Sequence, residues 1–266
     1  HKESLEFIKK MKKAKMKPDS YTLSTMLSIF SEVPNAIKGK EIHGYAIRHE
    51  IDECLHIVSG LVDVYAKCNR VADSLKVFSI HEDHDSVSWN SVIAGCVQNG
   101  YFGEGLSLFR RMLLSGIMPV SVSFSSILPA CSWLKTLQLG KQLHGFILRS
   151  RFDTNIFISS SLVDMYAKCG DIKAARRVFD RIGRHDTVSW TAIIMGYAIH
   201  GDAHEAMLLF EKMKSEGVTP NDVAFTAILT ACSHTGMVDA GRRYFKSMSE
   251  EHHIAPSDEH YAAMAD

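Results

Sequence analysis

The segments LVDVYAKCNR (Leu61–Arg70) and LVDMYAKCGD (Leu162–Asp171) repeat the tetrapeptide Tyr-Ala-Lys-Cys at an offset of 101 residues. Self-similarity at a fixed offset is the signature of repeat proteins. Four pairs of segments share this offset, which indicates an internal repeat rather than an isolated reactive thiol. The other three pairs are VSWN (87–90) with VSWT (188–191), GKEIHGYAIR (39–48) with GKQLHGFILR (140–149), and LPACSWLKTLQLG (128–140) with LTACSHTGMVDAG (229–241).

An offset of this length is too long for one supersecondary unit, and it divides into shorter repeats. Their starts are Ser20, Leu55, Ser86, Ser121, Ile156, Thr187 and Asp222, which gives lengths of 35, 31, 35, 35, 31 and 35 residues. Each repeat holds an apolar stretch, a turn often marked by Gly or Asn, and an amphipathic stretch. Trp190, Ile194 and Tyr197 follow the i, i+4, i+7 spacing of a helix. We therefore predict an all-α fold, a right-handed α-solenoid superhelix of helix-turn-helix repeats of 35 and 31 residues.

The composition limits the class of protein. Of 266 residues, 46% are hydrophobic and 23% are charged, which is ordinary for a folded protein. Thirty basic and thirty acidic side chains leave no formal net charge, so the overall charge does not indicate a polyanionic partner. The cluster KKMKKAKMK (Lys9–Lys17) is interpreted as a solvated helix face. No apolar run reaches the roughly 18 residues of a membrane span, and no transit peptide is recognisable. The sequence begins and ends inside patterned segments, so we expect a longer protein whose targeting signal lies outside this segment.

The cysteines and histidines form no recognisable metal or catalytic motif. No two of the six cysteines have Cys-x-x-Cys spacing. His1-Lys2-Glu3 is the one His-x-Glu, and the cysteine pair that a zinc deaminase requires is missing. His43 and His144 recur with the offset and are interpreted as packing or capping residues. We predict no metal site, no cofactor and no catalytic residue in this chain.

Three kinds of repeat alternate along the sequence. Their representatives are VSWTAIIMGYAIHGDAHEAMLLFEKMKSEGVTPN (188–221), SFSSILPACSWLKTLQLGKQLHGFILRS (123–150) and LVDMYAKCGDIKAARRVFD (162–180). In this order they resemble the standard, long-variant and short repeats of the plant PLS subclass of pentatricopeptide repeat proteins. The last segments are similar to those that precede C-terminal E or DYW extensions, which this chain does not contain.

The resemblance implies a division of the whole chain into repeats. The predicted boundaries are the C-terminal part of a standard repeat (1–19), a long-variant repeat (20–54), a short repeat (55–85), a standard repeat (86–120), a long-variant repeat (121–155), a short repeat (156–186), a standard repeat (187–221), a final long-variant repeat (222–257) and the start of a final short repeat (258–266).

The resemblance also implies sequence-specific binding of single-stranded RNA, with one base per repeat. Two residues of each repeat select the base, one in the first helix and one that closes the repeat, while a residue three positions before the first selector packs against the base. Unpaired bases offer both a face and an edge for such contacts. The implied base-selecting residues are Ser59, Asp85, Asn90, Val120, Ser125, Asn155, Ser160, Asp186, Thr191 and Asn221, and the base-packing residues are His56, Val87, Val122, Phe157 and Val188.

The paired residue types imply base preferences. A hydroxyl with a carboxylate implies a purine, with guanine favoured because a carboxylate accepts its N–H groups. A hydroxyl with an asparagine implies adenine, and an asparagine with a valine implies a pyrimidine without further discrimination. The hydroxyl and carboxylate pairs are Ser59 with Asp85 and Ser160 with Asp186, the hydroxyl and asparagine pairs are Thr191 with Asn221 and Ser125 with Asn155, and the asparagine and valine pair is Asn90 with Val120. Two further pairs, Ser24 with Cys54 and Thr226 with Ser257, match no base. Tyr21 and Val223 are further packing positions.

Helix geometry separates the members of the tetrapeptide. At 100° per residue, Asp164 and Lys168 fall within about 80° of Ser160, whereas Cys169 falls about 180° away. Lys67 and Lys168 are therefore predicted phosphate contacts beside the selectors. The alternative is an i, i+4 ion pair with the aspartate four residues earlier. The corresponding alternative for the hydroxyl selectors is a local bond within the first helical turn.

The function implied by the resemblance is to specify a C-to-U RNA editing site in a mitochondrion or chloroplast, with catalysis supplied elsewhere and no membrane partner. A protein-binding helical solenoid is the alternative, and an RNA stability, processing or splicing factor would use the same RNA contacts. Surfaces around Ile42, Leu143 and Phe146 in the long-variant repeats are expected to bind small organellar editing-factor proteins.

Overall fold

The protein is described by a computed structural model that covers residues 10, 13–14, 16–81 and 84–265. Residues 16–81 and 84–265 contain fifteen helices and no strand, which confirms the all-α prediction. None of these helices is long and apolar enough to cross a membrane. Most of the predicted partial repeat 1–19, including three of the six lysines of its lysine cluster, lies outside the described residues. The chain divides into an N-terminal part (residues 1–127) and a C-terminal part (residues 128–266), which are considered separately.

The helices alternate regularly along the sequence. In the N-terminal part they are α1 (Ser20–Glu32), α2 (Ala36–Arg48), α3 (Leu55–Lys67), α4 (Val71–Ile80), α5 (Ser86–Gln98) and α6 (Phe102–Leu114). Helix α7 (Ser121–Leu134) crosses the limit between the two parts. The C-terminal part continues with α8 (Leu137–Arg149), α9 (Ile156–Lys168), α10 (Ile172–Phe179), α11 (Thr187–Ile199), α12 (Ala203–Ser215), α13 (Asp222–His234), α14 (Val238–Glu250) and α15 (Asp258–Ala265).

The odd-numbered helices α1 to α13 begin at the seven residues at which the sequence period places the repeat starts. Each repeat is a pair of helices. Within the two parts, a first helix packs against its own second helix and against the first helix of the next repeat, as α3 does with α4 and α5 and as α11 does with α12 and α13. The short repeats differ in the second helix, because α4 has 10 residues and α10 has 8, whereas α8 and α12 have 13. The names standard, long-variant and short remain predictions.

The turn between paired helices uses a left-handed residue. In the two Tyr-Ala-Lys-Cys segments this residue is Asn69, with φ of 57°, and Gly170, with φ of 91°. Gly and Asn adopt this conformation most readily. The Gly or Asn noted in the sequence therefore marks the end of the first helix.

Consecutive first helices approach most closely where an alanine faces a glycine. A Cβ atom added at Gly196 of α11 would lie 2.9 Å from the Cβ of Ala167 and 3.0 Å from Cδ1 of Ile172. A Cβ atom at Gly95 of α5 would overlap the Cβ of Ala66 in the same way. Close packing of this kind leaves no room for an extra methyl group. The alanine of each Tyr-Ala-Lys-Cys segment thus fixes the spacing to the next repeat.

An aromatic cluster joins each short repeat to the standard repeat that follows it. The His84 ring stacks on Phe78 with centroids 3.7 Å apart, and His185 stacks on Phe179 at 4.0 Å. The edge of Trp190 completes the second cluster, 4.9 Å from Phe179. Burial lowers the pKa of both His84 and His185. These imidazoles therefore favour the neutral form in the folded protein.

A histidine and a tyrosine join repeat 20–54 to repeat 55–85, and another such pair joins repeat 121–155 to repeat 156–186. Nδ1 of His43 lies 3.0 Å from the Tyr65 hydroxyl, and Nδ1 of His144 lies 2.9 Å from that of Tyr166. Burial lowers the pKa of both histidines and raises the pKa of both tyrosines. The structure thus confirms the packing role predicted for His43 and His144.

Gly196→Ala is expected to destabilise the protein. Overpacking costs about 1–3 kcal/mol, which exceeds the gain of at most about 1 kcal/mol from replacing a helical glycine by alanine. Gly44→Ala in α2 is the matched control, because the nearest atom to its added Cβ is Nη1 of Arg48 at 3.8 Å. Thermal unfolding should show a lower midpoint for the first variant and an equal or higher one for the second. Equal midpoints for both variants would contradict the close approach.

Stability is expected to fall as the pH drops below about 6.5, the ordinary histidine value. Because burial lowers the folded pKa of His43 and His144, the unfolded chain takes up protons first, and acid favours unfolding. Replacing both by glutamine should flatten the dependence of the urea midpoint between pH 7.5 and about 5.5. Replacing the exposed His204 by glutamine is the control and should leave the dependence unchanged.

Candidate functional site

The second residue of the first helix is exposed in all seven repeats, and in six of them it is apolar. The exposed fractions of the apolar side chains run from 48% at Val223 to 81% at Tyr21. The other members are Val87, Val122, Phe157 and Val188, and His56 takes the position in α3. Large apolar side chains exposed singly are common, but recurrence at one register is not explained by chance exposure. All the residues predicted to pack against bases are therefore accessible, and base contact remains a prediction for them.

Four of the predicted closing residues are N-caps of the helix that follows. Oδ1 of Asp85 accepts the Ser88 N–H at 2.8 Å, and Oδ1 of Asp186 accepts the Ser189 N–H at 2.8 Å. Asn155 and Asn221 cap α9 and α13 in the same way, with bonds of 3.0 Å to the N–H groups of Phe157 and Ala224. The sequence analysis missed this role, although Asp or Asn directly before an apolar helical stretch is its signal. A capping carboxylate keeps a second oxygen with acceptor capacity for a ligand.

Val120 is the closing residue that cannot cap through its side chain. Instead its own N–H donates to Oγ of Ser123 at 3.0 Å. The Ser123 hydroxyl donates in turn to Oδ1 of Asn90, at 2.6 Å. The predicted selector Asn90 is therefore held by the first helix of the next repeat, and its amide NH₂ group is the part that can donate to a base.

The hydroxyl selectors make the local bonds that the alternative interpretation requires. Ser59 donates to the Leu55 carbonyl at 2.8 Å and shares a 2.6 Å hydrogen bond with the hydroxyl of Ser88. Thr191 donates to the Thr187 carbonyl, and Ser125 donates to the Val122 carbonyl at 3.1 Å. A hydroxyl oxygen that donates locally can still accept a hydrogen bond. Base selection by these residues remains a prediction.

Ser160 differs from its counterpart Ser59. Its side chain is buried, and its Oγ has no hydrogen-bond partner in the structure. The difference follows from Ser189, the counterpart of Ser88, whose hydroxyl donates to the Asp186 carbonyl and accepts the Asp186 N–H at 3.0 Å. Ser189 is thus committed to a capping box, and the Ser160 hydroxyl is left unpaired.

Lys67 and Lys168, the predicted phosphate contacts, both form the i, i+4 ion pairs of the alternative interpretation. Nζ of Lys67 lies 3.0 Å from Oδ2 of Asp63, and Nζ of Lys168 lies 2.9 Å from Oδ1 of Asp164. Both lysines remain about two-fifths exposed, and such pairs contribute only about 0.2–0.5 kcal/mol. An ammonium has three donors, so the ion pair leaves hydrogens for a phosphate oxygen. Phosphate contact remains a prediction.

A serine at the end of the preceding first helix contributes to each ion pair and was missed from the sequence. Oγ of Ser31 accepts from Lys67 at 2.7 Å and donates to Asp63. Ser132 takes the same position relative to Asp164, at 3.4 Å from Oδ2. Their recurrence at the 101-residue offset was the available signal.

A groove in the C-terminal part brings many of the predicted residues together. Its volume is about 440 Å³, and it runs across α9, α11 and the start of α13. The groove contains two hydroxyl selectors, a closing residue, two packing residues and a lysine: Ser160, Thr191, Asn221, Val188, Val223 and Lys168. Hydrogen-bonding groups, apolar surfaces and a cation therefore line one continuous concave surface.

The N-terminal part has a smaller groove at the same register. Tyr21, Ser24, Cys54 and His56 line a volume of about 190 Å³. This groove includes the Ser24 and Cys54 pair, for which no base preference is predicted. A polar and aromatic surface is present here without the carboxylate or amide of the other repeats.

Another groove in the C-terminal part, of about 910 Å³, lies beside the short helix α10. Of the predicted site residues it contains only Asp186. Of the three residues around which protein binding is expected in the long-variant repeats, Ile42 and Leu143 are only 4% and 7% exposed, which corrects their assignment to that surface, whereas Phe146 is half-buried. The Ile42 and Leu143 side chains face inward from α2 and α8 and are inaccessible to a partner.

The cysteines are packing residues. All six lie within the described ranges as free thiols, and Cys68 and Cys169 are the C-caps of α3 and α9. Burial raises the pKa of Cys96 and Cys131 to about 11, which keeps these thiols protonated and unreactive at neutral pH. Across residues 16–81 and 84–265, no group of three His, Cys, Asp or Glu side chains is placed to share a metal ion.

Ser59→Ala and Ser160→Ala are expected to differ in stability. The first removes two hydrogen bonds and should cost about 1 kcal/mol. The second removes a buried hydroxyl without a partner and should cost nothing or stabilise the fold. Urea unfolding midpoints measure the difference. An equal loss in both variants would show that Ser160 is bonded like Ser59.

Comparisons with known proteins point to one family. The PPR repeat family matches residues 84–132 and 185–234, and the PPR repeat matches residues 157–186 and 223–253. Together these ranges cover more than half of the chain.

Arabidopsis thaliana proteins are similar along the whole chain. The pentatricopeptide repeat-containing protein At3g23330 is 56% identical over 100% of this chain and 37% of its own length. The pentatricopeptide repeat-containing protein At2g03380, mitochondrial, is 38% identical over 99% of this chain and 38% of its own length. The pentatricopeptide repeat-containing protein At3g22150, chloroplastic, is 40% identical over 99% of this chain and 32% of its own length. The chain thus spans about a third of the length of each of these relatives.

A solved structure has the same fold. The maize pentatricopeptide repeat protein PPR10, crystallised in complex with an 18-nt psaJ RNA element, matches 98% of this chain and 39% of its own with a TM-score of 0.84 at 20% identity. The repeat matches, the similar relatives and the shared fold agree with the period read from the sequence. The chain belongs to the pentatricopeptide repeat family.

Proposed function

We propose that this chain binds single-stranded RNA sequence-specifically, with one base per repeat. The observation that carries the proposal is the groove in which Ser160, Thr191 and Asn221 lie with Val188 and Lys168. The complex of PPR10 with RNA supports it, because that protein shares the fold. Single-stranded bases offer faces to apolar side chains and edges to hydrogen-bonding groups, and this groove supplies partners for both.

The closing residues discriminate between bases with the groups that capping leaves unused. The second oxygen of Asp85 and of Asp186 accepts the N–H groups of guanine. Asn221 offers its NH₂ group and a remaining lone pair to adenine, and Asn155 does so in the long-variant repeat. At Val120 the closing side chain contributes no hydrogen bond, so the Asn90 amide selects a pyrimidine without separating uracil from cytosine.

The finer proposal is that the RNA site specifies C-to-U editing in a mitochondrion or chloroplast. It rests on the resemblance of the repeat pattern to the PLS subclass, and relatives with mitochondrial and chloroplastic names support an organellar location. In this proposal the chain selects the site by binding, and catalysis comes from another segment or another protein. A stability, processing or splicing role would use the same contacts. Docking of a protein on the long-variant repeats would require surfaces other than Ile42 and Leu143.

Lys168→Ala is expected to weaken binding of random-sequence single-stranded RNA and to lower the slope of log affinity against log salt by about 0.7, as one lost phosphate contact requires. Filter binding over a salt series measures both. Lys173→Ala is the matched control on the second helix α10, where the lysine is exposed and outside the groove. Absence of RNA retention at every salt concentration would refute RNA binding, and an unchanged slope for Lys168→Ala would refute the phosphate contact.

Thr191→Asn tests base selection separately from the general affinity for RNA. With Asn221 retained, the change should shift the preferred base at one RNA position from adenine towards a pyrimidine, while the salt slope stays at the wild-type value. Selection from a randomised RNA pool followed by sequencing reports the preference. An unchanged preference would contradict the role of Thr191 but not RNA binding.

A further inference from the structure

Trp133 is an exposed tryptophan in a protein that buries its other two. Its side chain is 68% exposed at the end of α7, whereas Trp89 and Trp190 are 4% and 0% exposed. Trp89 and Trp190 belong to the aromatic clusters that join consecutive repeats. Trp133 therefore presents most of a large aromatic side chain to solvent, whereas the other two tryptophans are enclosed.

Trp133 lies at the register of the predicted phosphate contacts. Trp133 and Lys168 are 35 residues apart, which is the length of the repeat that separates them. Pro129 lines the groove that contains Lys168, and Trp133 follows Pro129 by four residues, about 6 Å farther along α7 and about 40° around it. The adjacent Ser132 contacts Asp164, the ion-pair partner of Lys168. One surface of the C-terminal part thus combines an exposed indole with a cation.

This combination has the chemistry of a site for single-stranded nucleic acid. Proteins that bind single strands pair cations along the backbone path with aromatic rings on which bases stack. Stacking on an indole is available to every base, because each base has a π-face. An apolar protein partner would also cover a tryptophan, but Lys168 and Asp164 beside it favour a polar, charged ligand.

We propose that Trp133 stacks on a nucleobase of the bound RNA and strengthens binding irrespective of which base it is. This inference rests on the proposed RNA-binding function. Repeat 121–155 thereby contributes affinity through its first helix even where its selectors discriminate weakly. Trp133 would act as a positioning contact that holds the strand between the repeats that read it.

Tryptophan fluorescence tests the proposal directly, because the exposed ring is one of three. Titration with random-sequence single-stranded RNA should quench part of the wild-type emission at saturation. Trp133→Leu keeps an apolar side chain but removes the ring, so the emission that remains, from Trp89 and Trp190, should not respond to RNA. Inorganic polyphosphate is the control ligand and should not quench, since it has charge but no base.

Filter binding of the same variants gives the energetic contribution. Trp133→Leu should weaken RNA affinity by about 5- to 20-fold, near the lower end of the range for one stacked base, with an unchanged salt slope. Leu208→Ala removes another exposed apolar side chain, on the second helix α12, and should leave the affinity unchanged. Trp133→Phe retains a ring and should recover most of the loss.

The outcomes distinguish this inference from the proposed function. RNA retention by the wild-type chain with no quenching, or with wild-type affinity in Trp133→Leu, would overturn stacking at Trp133 and leave RNA binding intact. Quenching by polyphosphate to the same extent as by RNA would also overturn it. Failure of the wild-type chain to retain RNA at any salt concentration would overturn both.

Discussion

The contact between an alanine and a glycine on consecutive first helices is the constraint on which the repeats depend. Ala167 against Gly196, and Ala66 against Gly95, leave no space for a further methyl group. Packed helices are separated by about 8–10 Å according to the side chains between them, and small residues hold them at the short end of that range. Because each first helix also carries an exposed side chain at its second residue, the same contact sets the spacing between these successive exposed side chains. The Tyr-Ala-Lys-Cys segments are therefore scaffold segments, and of the second segment only Lys168 lines the groove across α9 and α11.

Helix capping connects the stability of the repeats to the chemistry of the proposed reading residues. Asp186 and Asn221 each close one repeat and cap the first helix of the next through one oxygen. An N-cap favours Asp, Asn, Ser and Thr, and these are the types whose remaining groups can bond to a base edge. The fold thus restricts this position to residues suited to recognition. Val120 lies outside that set, and there Ser123 accepts the Val120 N–H and donates to Asn90.

The helix positions, which depend on the repeat period, were predictable from the sequence. The contacts between adjacent helices were not. The helix starts follow from the repeat period, and the angles along α9 correctly placed Lys168 at the surface and Tyr166 inside. Angles along one helix do not reveal which side chains of the adjacent helix cover its residues or form hydrogen bonds with them. For this reason the burial of Leu143 was not foreseen, and neither was the difference between Ser59, which is bonded to Ser88, and Ser160, which has no partner. Capping by the closing residues was readable from their position before each helix, since the signal is local.

The absence of net charge determines how such a chain would recognise RNA. Non-specific affinity for a polyanion grows with the number of phosphates neutralised, and a chain with equal numbers of acidic and basic side chains has little surplus for this purpose. Lys67 and Lys168 are moreover already paired with aspartates, so each phosphate they bind must share the ammonium group. Binding must then depend on contacts with the bases themselves, through apolar faces and capped polar groups. Such contacts are short-ranged and sensitive to base identity. Because the electrostatic attraction to phosphates would be weak, an RNA of incorrect sequence would be released rather than retained.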